Sequence, residues 1–177
     1  MSEVRVREGR AKAFLDTAFL ASFSIPNHKD NKKARILLAE LTLKYDLYTA
    51  PLCFYELWQV VKEYKDFYKG NYQFIRKLNK VLKLIHCKIL FNEINLSYKA
   101  VINDLKSFTK QILGSMFITV IPSDRQSINS ALDAIDEFLA KPGDAFHFSS
   151  MDSAGIETVV TGNRKDFERM GLHVIWF

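Results

Sequence analysis

Short apolar runs alternate along the chain with longer stretches in which apolar residues recur every three or four positions. A short β-branched or aromatic run favours a buried strand, and a period of three to four favours a helix with one buried face. We therefore expect strands at Ala11–Leu15, Leu47–Ala50, Phe117–Ile121, Thr158–Thr161 and His173–Trp176. The predicted helices are Thr17–Phe23, Asp30–Tyr45, Leu52–Tyr68, Tyr72–Leu84, Ser97–Leu113, one that begins after Ser123, one opened by Pro142-Gly143-Asp144, and Arg164–Met170.

The order of these elements predicts an α/β fold. Because strands and helices alternate, the sheet should be mostly parallel, with helices on both faces. Right-handed crossovers then bring the carboxyl ends of the strands to one edge, where open α/β sheets bind ligands. We expect a single domain over residues 1–177, with a helical insert at about 71–113.

The helix after Ser123 has its own start signal. Ser123 and Gln126 are spaced as in a capping box, in which two side chains satisfy free amides of the first turn. The helical period then places six apolar side chains on the predicted inward face, namely Ile128, Ala131, Leu132, Ile135, Phe138 and Leu139.

Composition narrows the class of protein. Of the 177 residues, 48% are hydrophobic, which suits one compact domain with a buried core. No apolar stretch approaches the roughly 18 residues that span a bilayer, and the charged N-terminus lacks the apolar region of a signal peptide. We therefore expect a cytoplasmic protein without membrane contact. The net charge of +5 permits a nucleic-acid partner but does not demonstrate one.

Three carboxylates are positioned to reach the carboxyl edge of the sheet. Asp16 directly follows the first predicted strand, Glu56 lies at the border of the apolar face of its helix, and Asp144 lies in the first turn of another helix. Each also has an ordinary alternative role. Asp16 and Asp144 are suitable as caps or as partners of a helix dipole, and Glu56 is suitable as a flanking charge.

Two more polar residues, Asn163 and Asp166, follow the strand predicted at Thr158–Thr161. The alternatives are a turn role for Asn163 and a surface charge for Asp166. Taken singly, each of these polar residues is ambiguous. Their order along the chain is more informative: an aspartate after a strand, a glutamate on a helix, an aspartate at a helix start, and Thr-x-Asn after a strand.

Other polar residues are predicted to be structural. Cys53 and Cys87 belong to no C-x-x-C pair, which argues against a zinc site and favours inert buried thiols. His147, three residues after Asp144, is expected to pack or to hydrogen-bond rather than to bind a metal. Asp152 shares a helix face with Asp144 and is expected to be solvated, with a supporting role at the site as the alternative.

The order of motifs resembles the PIN-domain family, and within it the VapC-like ribonuclease toxins. The resemblance extends from Phe14 to Ile175, and its C-terminal block is the most specific part. The family often has an aspartate at the position of Asn163, which leaves the occupancy of a second metal open. The motifs that carry the resemblance are Phe14-Leu15-Asp16-Thr17, Tyr55-Glu56-Leu57, Gly143-Asp144-Ala145-Phe146-His147, and Val160-Thr161-Gly162-Asn163 with Asp166-Phe167.

The resemblance implies a Rossmann-like three-layer α/β/α sandwich and an endoribonuclease that depends on Mg²⁺ or Mn²⁺. It also implies a homodimer, an antitoxin partner if the protein is a toxin, and an acidic cluster formed by Asp16, Glu56 and Asp144. Hard divalent ions prefer oxygen ligands and activate water for attack on a phosphodiester. We expect Asp16 and Asp144 to contact the metal most directly, and Glu56 to hold one of its waters or to act as base.

Supporting roles complete this hypothesis. Thr17 and Asn163 are expected to orient water or phosphate, and Asp166 to compensate in part for the charge missing at Asn163. Arg164 and Lys165 are expected to bind RNA phosphates beside the site. The alternative is a non-catalytic RNA-binding or scaffolding domain with a degraded acidic site. An enzyme with a nucleotide cofactor is set aside because the chain lacks a G-x-G-x-x-G or Walker loop.

Overall fold

A computed structural model describes residues 9–25, 28–60, 103, 106–107, 109–110, 112–114 and 117–177. Its strands are β1 (Ala11–Leu15), β2 (Tyr45–Thr49), β3 (Ile118–Val120), β4 (Thr158–Thr161) and β5 (His173–Trp176). Its helices are α1 (Thr17–Ser24), α2 (Asn31–Lys44), α3 (described over residues 51–60), α4 (Arg125–Phe138), α5 (Pro142–Ser153) and α6 (Arg164–Arg169). Several residues between 103 and 114 are also helical.

The five strands form one parallel sheet in the order β3-β2-β1-β4-β5. In the central strand β1, Phe14 lies opposite Tyr48 of β2 and Val159 of β4. The chain extends the sheet through β2 to β3 on one side of β1 and through β4 to β5 on the other. The order therefore reverses between β1 and β4, which is the type of position where parallel sheets bind ligands.

Both faces of the sheet are covered. Successive side chains of a strand point to opposite faces, yet Phe14, Leu15, Val159 and Val160 are all fully buried. Burial on both faces explains why these strands are continuous apolar runs rather than alternating ones. The predicted α/β fold with a mostly parallel sheet is confirmed.

The predicted start of α4 is wrong by one residue. Asp124, not Ser123, is the N-cap, and its side chain accepts a hydrogen bond from the amide of Ser127 at 2.8 Å. The Ser127 hydroxyl in turn faces the amide of Asp124, so the capping box pairs Asp124 with Ser127 rather than Ser123 with Gln126. Aspartate is at least as good an N-cap as serine, which explains the shift.

The predicted inward face of α4 is also partly wrong. The helix buries its small residues Ser127, Ala131 and Ala134, and the Ser149 hydroxyl of α5 donates to the Ser127 carbonyl at 2.7 Å. Small side chains let the two helices approach closely, which turns the larger apolar side chains outward. Ile135 and Phe138 are partly buried against the core as expected, whereas three others of the set are exposed, namely Ile128, Leu132 and Leu139.

The remaining element boundaries agree to within a few residues. β2 begins at Tyr45 instead of Leu47, because α2 ends at Lys44. The second half of the helix predicted at Leu52–Tyr68, the helix Tyr72–Leu84, most of the insert at 71–113, and Cys87 lie outside the described residues. Within the described ranges, we find no helix long and apolar enough to cross a membrane.

Candidate active site at the carboxyl edge of the sheet

Asp16 begins the site directly after β1. Its Oδ1 caps α1 by accepting from the Phe19 amide at 3.0 Å, and its Oδ2 accepts from the Thr161 hydroxyl at 2.5 Å. Only 5% of Asp16 is exposed. Burial raises the pKa of Asp16 from 3.8 to about 6, although the hydrogen bonds from Thr161 and Phe19 oppose the shift. The alternative role of Asp16 as a helix cap is therefore confirmed, and its role as a site carboxylate stays a prediction.

Glu56 projects from α3 toward the start of α1. Its Oε2 accepts a hydrogen bond from the hydroxyl of Thr17 and lies 2.9 Å from Nε2 of His147. Burial opposes ionisation, but the hydrogen bond and charge of His147, together with the Thr17 hydroxyl, outweigh it and lower the pKa of Glu56. Glu56 is therefore ionised at neutral pH, with one of its two oxygens engaged by two donors.

His147 lies on α5 with 3% of its surface exposed. Its Nδ1 lies 3.7 Å from the sulfur of Cys53, and that sulfur lies 3.7 Å from the Leu15 carbonyl. Burial disfavours a charged imidazole, but the contacts with Cys53 and Glu56 raise the pKa of His147 well above its ordinary value. The predicted structural hydrogen bonding of His147 is thus observed, and one of its partners is a predicted site residue.

Gly143 gives Glu56 the space that it occupies. A methyl group added at Gly143 would lie 2.7 Å from Oε1 of Glu56, closer than real side chains approach one another. Gly143 is the second residue of α5, so the helix start lies directly beside the glutamate. A larger residue at this position would displace the carboxylate.

Asp144 and Asp166 are joined by the side chain of Asn163. Asn163 Nδ2 lies 2.7 Å from Oδ2 of Asp166 and 3.4 Å from Oδ2 of Asp144. Burial, followed by the charge of Asp166, raises the pKa of Asp144. Hydrogen bonds from Lys141, at 2.9 Å, and from Asn163 lower the pKa of Asp166 to about 2. The two aspartates therefore differ in character, since Asp144 is half-buried and Asp166 is paired with a lysine.

The polar residues form two connected groups at the carboxyl ends of β1 and β4. One runs from Cys53 through His147 and Glu56 to Thr17, and the other joins Asp16, Thr161, Asn163, Asp144 and Asp166. Thr17 directly follows Asp16, which connects the two groups through the backbone. Among the described residues, no three His, Cys, Asp or Glu side chains are grouped closely enough to hold a metal ion. The predicted ligand set of Asp16, Glu56 and Asp144 stays a prediction.

The predicted phosphate contacts lie at the start of α6. Arg164 is exposed and pairs through Nε with Glu168 at 2.6 Å, and Lys165 is also exposed. Asp152 is exposed as well, consistent with a solvated residue. Thr17, also predicted to orient water or phosphate, donates its hydroxyl hydrogen to Glu56.

The carboxylate oxygens of Asp16 and Asp144 are of the ligand type that hard divalent cations prefer. Mg²⁺ commonly takes one or two protein carboxylates and keeps water in its remaining positions. Both carboxylates are partly or wholly buried, and burial raises the pKa of each, so a cation beside them would relieve an existing cost. Hydrogen bonds already engage part of this donor set, since Oε2 of Glu56 accepts from Thr17 and faces His147, and both oxygens of Asp16 accept hydrogen bonds.

Several residues of this network were given no role by the sequence. Thr161 was part of a motif without an assigned contact, and Gly143 was treated only as part of a turn. Cys53 and Glu56 are three residues apart on α3 and therefore share a face, a spacing that signals a common neighbour. Nothing in the sequence indicates that this neighbour is His147, which is 91 residues from Glu56.

The fold has counterparts of known structure at low sequence identity. VapC20 of Mycobacterium tuberculosis, described as a toxin that cleaves the sarcin–ricin loop, matches at a TM-score of 0.60 and 16% identity, over 91% of this chain and 96% of its own. VapBC2 from Rickettsia felis, bound to a promoter DNA fragment, matches at 0.58 and 14%, over 93% and 98%. FitAB bound to a DNA fragment matches at 0.53 and 16%, over 93% and 94%. No family model matches the sequence, and no curated protein matches it significantly.

Proposed function

Because the chain has a VapC-like PIN fold, we propose that it is an endoribonuclease that depends on Mg²⁺ or Mn²⁺. The observation that carries the proposal is the second polar group, in which Thr161 and Asn163 connect Asp16 to Asp144 at the switch point of the sheet. Ligand sites of parallel sheets lie at such points, and carboxylate oxygens are the ligands that Mg²⁺ or Mn²⁺ would take there.

In this proposal Asp16 and Asp144 hold the metal ion. When bound, the ion supplies positive charge that favours ionised water and stabilises the developing charge on the phosphate. Thr161 orients Asp16 through the 2.5 Å hydrogen bond, and Asn163 orients Asp144. Asp166 is a supporting residue, because Lys141 and Asn163 already share its Oδ2.

Glu56 is the candidate base. Its lowered pKa keeps it ionised at neutral pH, and its Oε1 faces the backbone at Gly143 rather than the two donors on Oε2. Glu56 accepts a proton from the attacking water, and Thr17 fixes the carboxylate in place. Arg164 and Lys165 bind flanking phosphates. The exposed pair of Arg164 with Glu168 is weak enough to exchange for a phosphate contact.

Cleavage of a structured RNA in the presence of Mn²⁺ tests the proposal. The wild type should produce discrete fragments, whereas Asp144→Asn, which is nearly isosteric, should reduce cleavage to background. Asp152→Asn is the matched control, since Asp152 lies on the same helix but is exposed, and it should cleave like the wild type. Equal cleavage by the wild type and Asp144→Asn would refute the proposal.

The same fold supports a proposed role as the toxin of a toxin–antitoxin pair that assembles as a homodimer. VapBC2 and FitAB were solved on DNA fragments, so a partner that binds DNA is the kind to test for. Co-expression with the protein encoded by the adjacent reading frame should relieve the growth inhibition that the proposed toxin causes when expressed alone. It should also yield a complex on size exclusion. Growth inhibition that the neighbour does not relieve would argue against this pairing.

A second candidate function is a non-catalytic RNA-binding domain. Asn163 favours it, because an amide replaces a charge beside Asp144, and so does the engagement of Glu56 by His147. Calorimetric titration with Mn²⁺ separates the two functions. Retained RNA affinity with no Mn²⁺ binding favours the second candidate, whereas Mn²⁺ binding that Asp144→Asn abolishes favours the ribonuclease.

A further inference from the structure

We propose that His147 is a positioning residue for Glu56, and that Cys53 fixes the orientation of its ring. This inference rests on the proposed ribonuclease function and assigns a role at the same site. It is carried by a continuous chain of contacts from the Leu15 carbonyl to Cys53, to His147 and to Glu56. Each member of the chain is buried except Glu56, which lies at its open end.

Two arrangements of the hydrogens in this chain are compatible with the contacts and with an ionised Glu56. If the Cys53 thiol donates to Leu15, Nδ1 of His147 donates to the sulfur, and Nε2 donates to Glu56. If the thiol instead donates to Nδ1, the neutral ring carries its hydrogen on Nε2, which again donates to Glu56. In both arrangements Glu56 receives a hydrogen bond from Nε2, so the positioning role does not depend on the charge of His147.

The ring is held rigidly enough to position a carboxylate. Its two nitrogens have partners on opposite sides, and its centroid lies 5.7 Å from that of the Phe14 ring, with 47° between the two ring planes. Phe14 belongs to the central strand, and Cys53 belongs to the same helix as Glu56. Through its contacts, His147 therefore links the position of Glu56 to the core of the sheet.

Helix α5 shows a second adaptation to Glu56. Gly143 and His147 are four residues apart and share a helix face, where the missing side chain of Gly143 leaves room for Oε1 and His147 places Nε2 beside Oε2. With the Thr17 hydroxyl also on Oε2, the oxygen left for chemistry is Oε1. A packing role alone would need neither the polar ring nor the missing side chain at Gly143.

Two amide substitutions separate positioning from packing. In His147→Gln the amide nitrogen reaches the position of Nε2 and can still donate to Glu56. In His147→Asn the shorter amide reaches the position of Nδ1, facing Cys53, and leaves Glu56 without this donor. The two variants are alike in polarity, so loss of a buried imidazole affects both. His147→Gln keeps the contact with Glu56 and loses that with Cys53, and His147→Asn does the reverse.

RNA cleavage by the full chain with Mn²⁺ is the first measurement. We expect kcat of His147→Gln to stay within about threefold of the wild type, and kcat of His147→Asn to fall by about 10–100-fold with KM little changed. In a Glu56→Gln background the substitution His147→Asn should have no further effect on kcat. Equal losses in the two amide variants, or losses that add to that of Glu56→Gln, would overturn the inference.

A measurement without turnover keeps the test independent of the proposed function. Long-range ¹H–¹⁵N spectra should show a hydrogen on Nε2 of His147 in the wild type, and Glu56→Gln should shift that signal. An unprotonated Nε2, or a signal that Glu56→Gln leaves unchanged, would contradict the inference even if no RNA is cleaved. Conversely, absence of cleavage by the wild type, with the Nε2 signal as expected, counts against the ribonuclease and not against the contact.

Discussion

The hydroxyl of Thr161 donates a 2.5 Å hydrogen bond to Asp16, which joins the carboxyl ends of β4 and β1. The same hydroxyl accepts from the amide of Asn163 at 2.8 Å. One buried side chain therefore orients a carboxylate on one strand and begins the loop that presents an amide on the next.

Replacing Thr161 by valine should destabilise the protein. The substitution keeps the shape of the side chain but leaves a buried carboxylate and an amide without this partner, at a cost of about 1–3 kcal/mol. Urea denaturation at pH 7 measures the change in unfolding free energy. Thr161→Ser keeps the hydroxyl and should cost about 1 kcal/mol or less. Equal stability of the two variants would show that the hydrogen bonds contribute little.

The stability of Asp16→Asn relative to that of the wild type should increase as pH rises. The pKa of Asp16 is raised from 3.8 to about 6 in the folded state, so between these values the unfolded chain releases a proton that the folded chain keeps. Wild-type stability therefore falls across this window, by up to about 3 kcal/mol, and asparagine has no such loss. Denaturation curves of both proteins at pH 4 and pH 7, without metal, measure the difference. A difference in unfolding free energy that is the same at both pH values contradicts the raised pKa of Asp16.

Gly143→Ala should impair activity at a modest cost in stability. The added methyl meets the carboxylate of Glu56, which can move aside only by weakening its contacts with Thr17 and His147, and the helix propensity of alanine offsets part of that cost. We expect a small decrease in melting temperature and a loss of cleavage of up to about 100-fold, because small displacements of reacting groups have effects of that size. Gly114→Ala is the control, because a methyl there meets nothing within 4 Å. A fully active Gly143→Ala protein would show that the position of Glu56 is unimportant.

Asn163→Asp should tighten metal binding and weaken the metal-free protein. The new carboxylate replaces the amide that donates to Asp166 and faces Asp144, and so adds like charge to a half-buried group whose pKa is already raised. Calorimetry should show Mn²⁺ affinity rising by about tenfold, and Mn²⁺ should restore the lost melting temperature. Asn163→Ala removes the donor without adding charge, so it should lose stability without gaining affinity. Unchanged Mn²⁺ affinity in Asn163→Asp would remove Asn163 from the metal site.

The sequence predicted the strands well because their signal is local. The continuous apolar runs of β1 and β4 result from burial on both faces of the sheet, and the structure places both strands at the predicted residues. A helical period is less decisive, since it shows that α4 has an apolar stripe but not which side meets the core. Close packing of Ala131 and Ala134 decided that side, and packing between helices is not local information.

The site residues were not equally predictable, because the place of some depends on local sequence and the contacts of others depend on distant residues. Asp16 follows its strand directly, so its place at the edge of the sheet could be inferred from β1 alone. The contacts of Glu56 depend on residues 39 and 91 positions away, Thr17 and His147, which no local pattern specifies. The role of Gly143 depends on how closely Glu56 approaches its backbone, which a sequence does not display.

The central place of β1 has a consequence for how the protein opens. Because β1 is bonded to β2 on one side and β4 on the other, its amide hydrogens cannot reach solvent by fraying of a sheet edge. Exchange of the Phe14 and Leu15 amides with deuterium should therefore require unfolding of the whole sheet, whereas those of β3 and β5 exchange through smaller openings. The aspartate that begins the site is thus attached to the slowest-exchanging segment of the sheet.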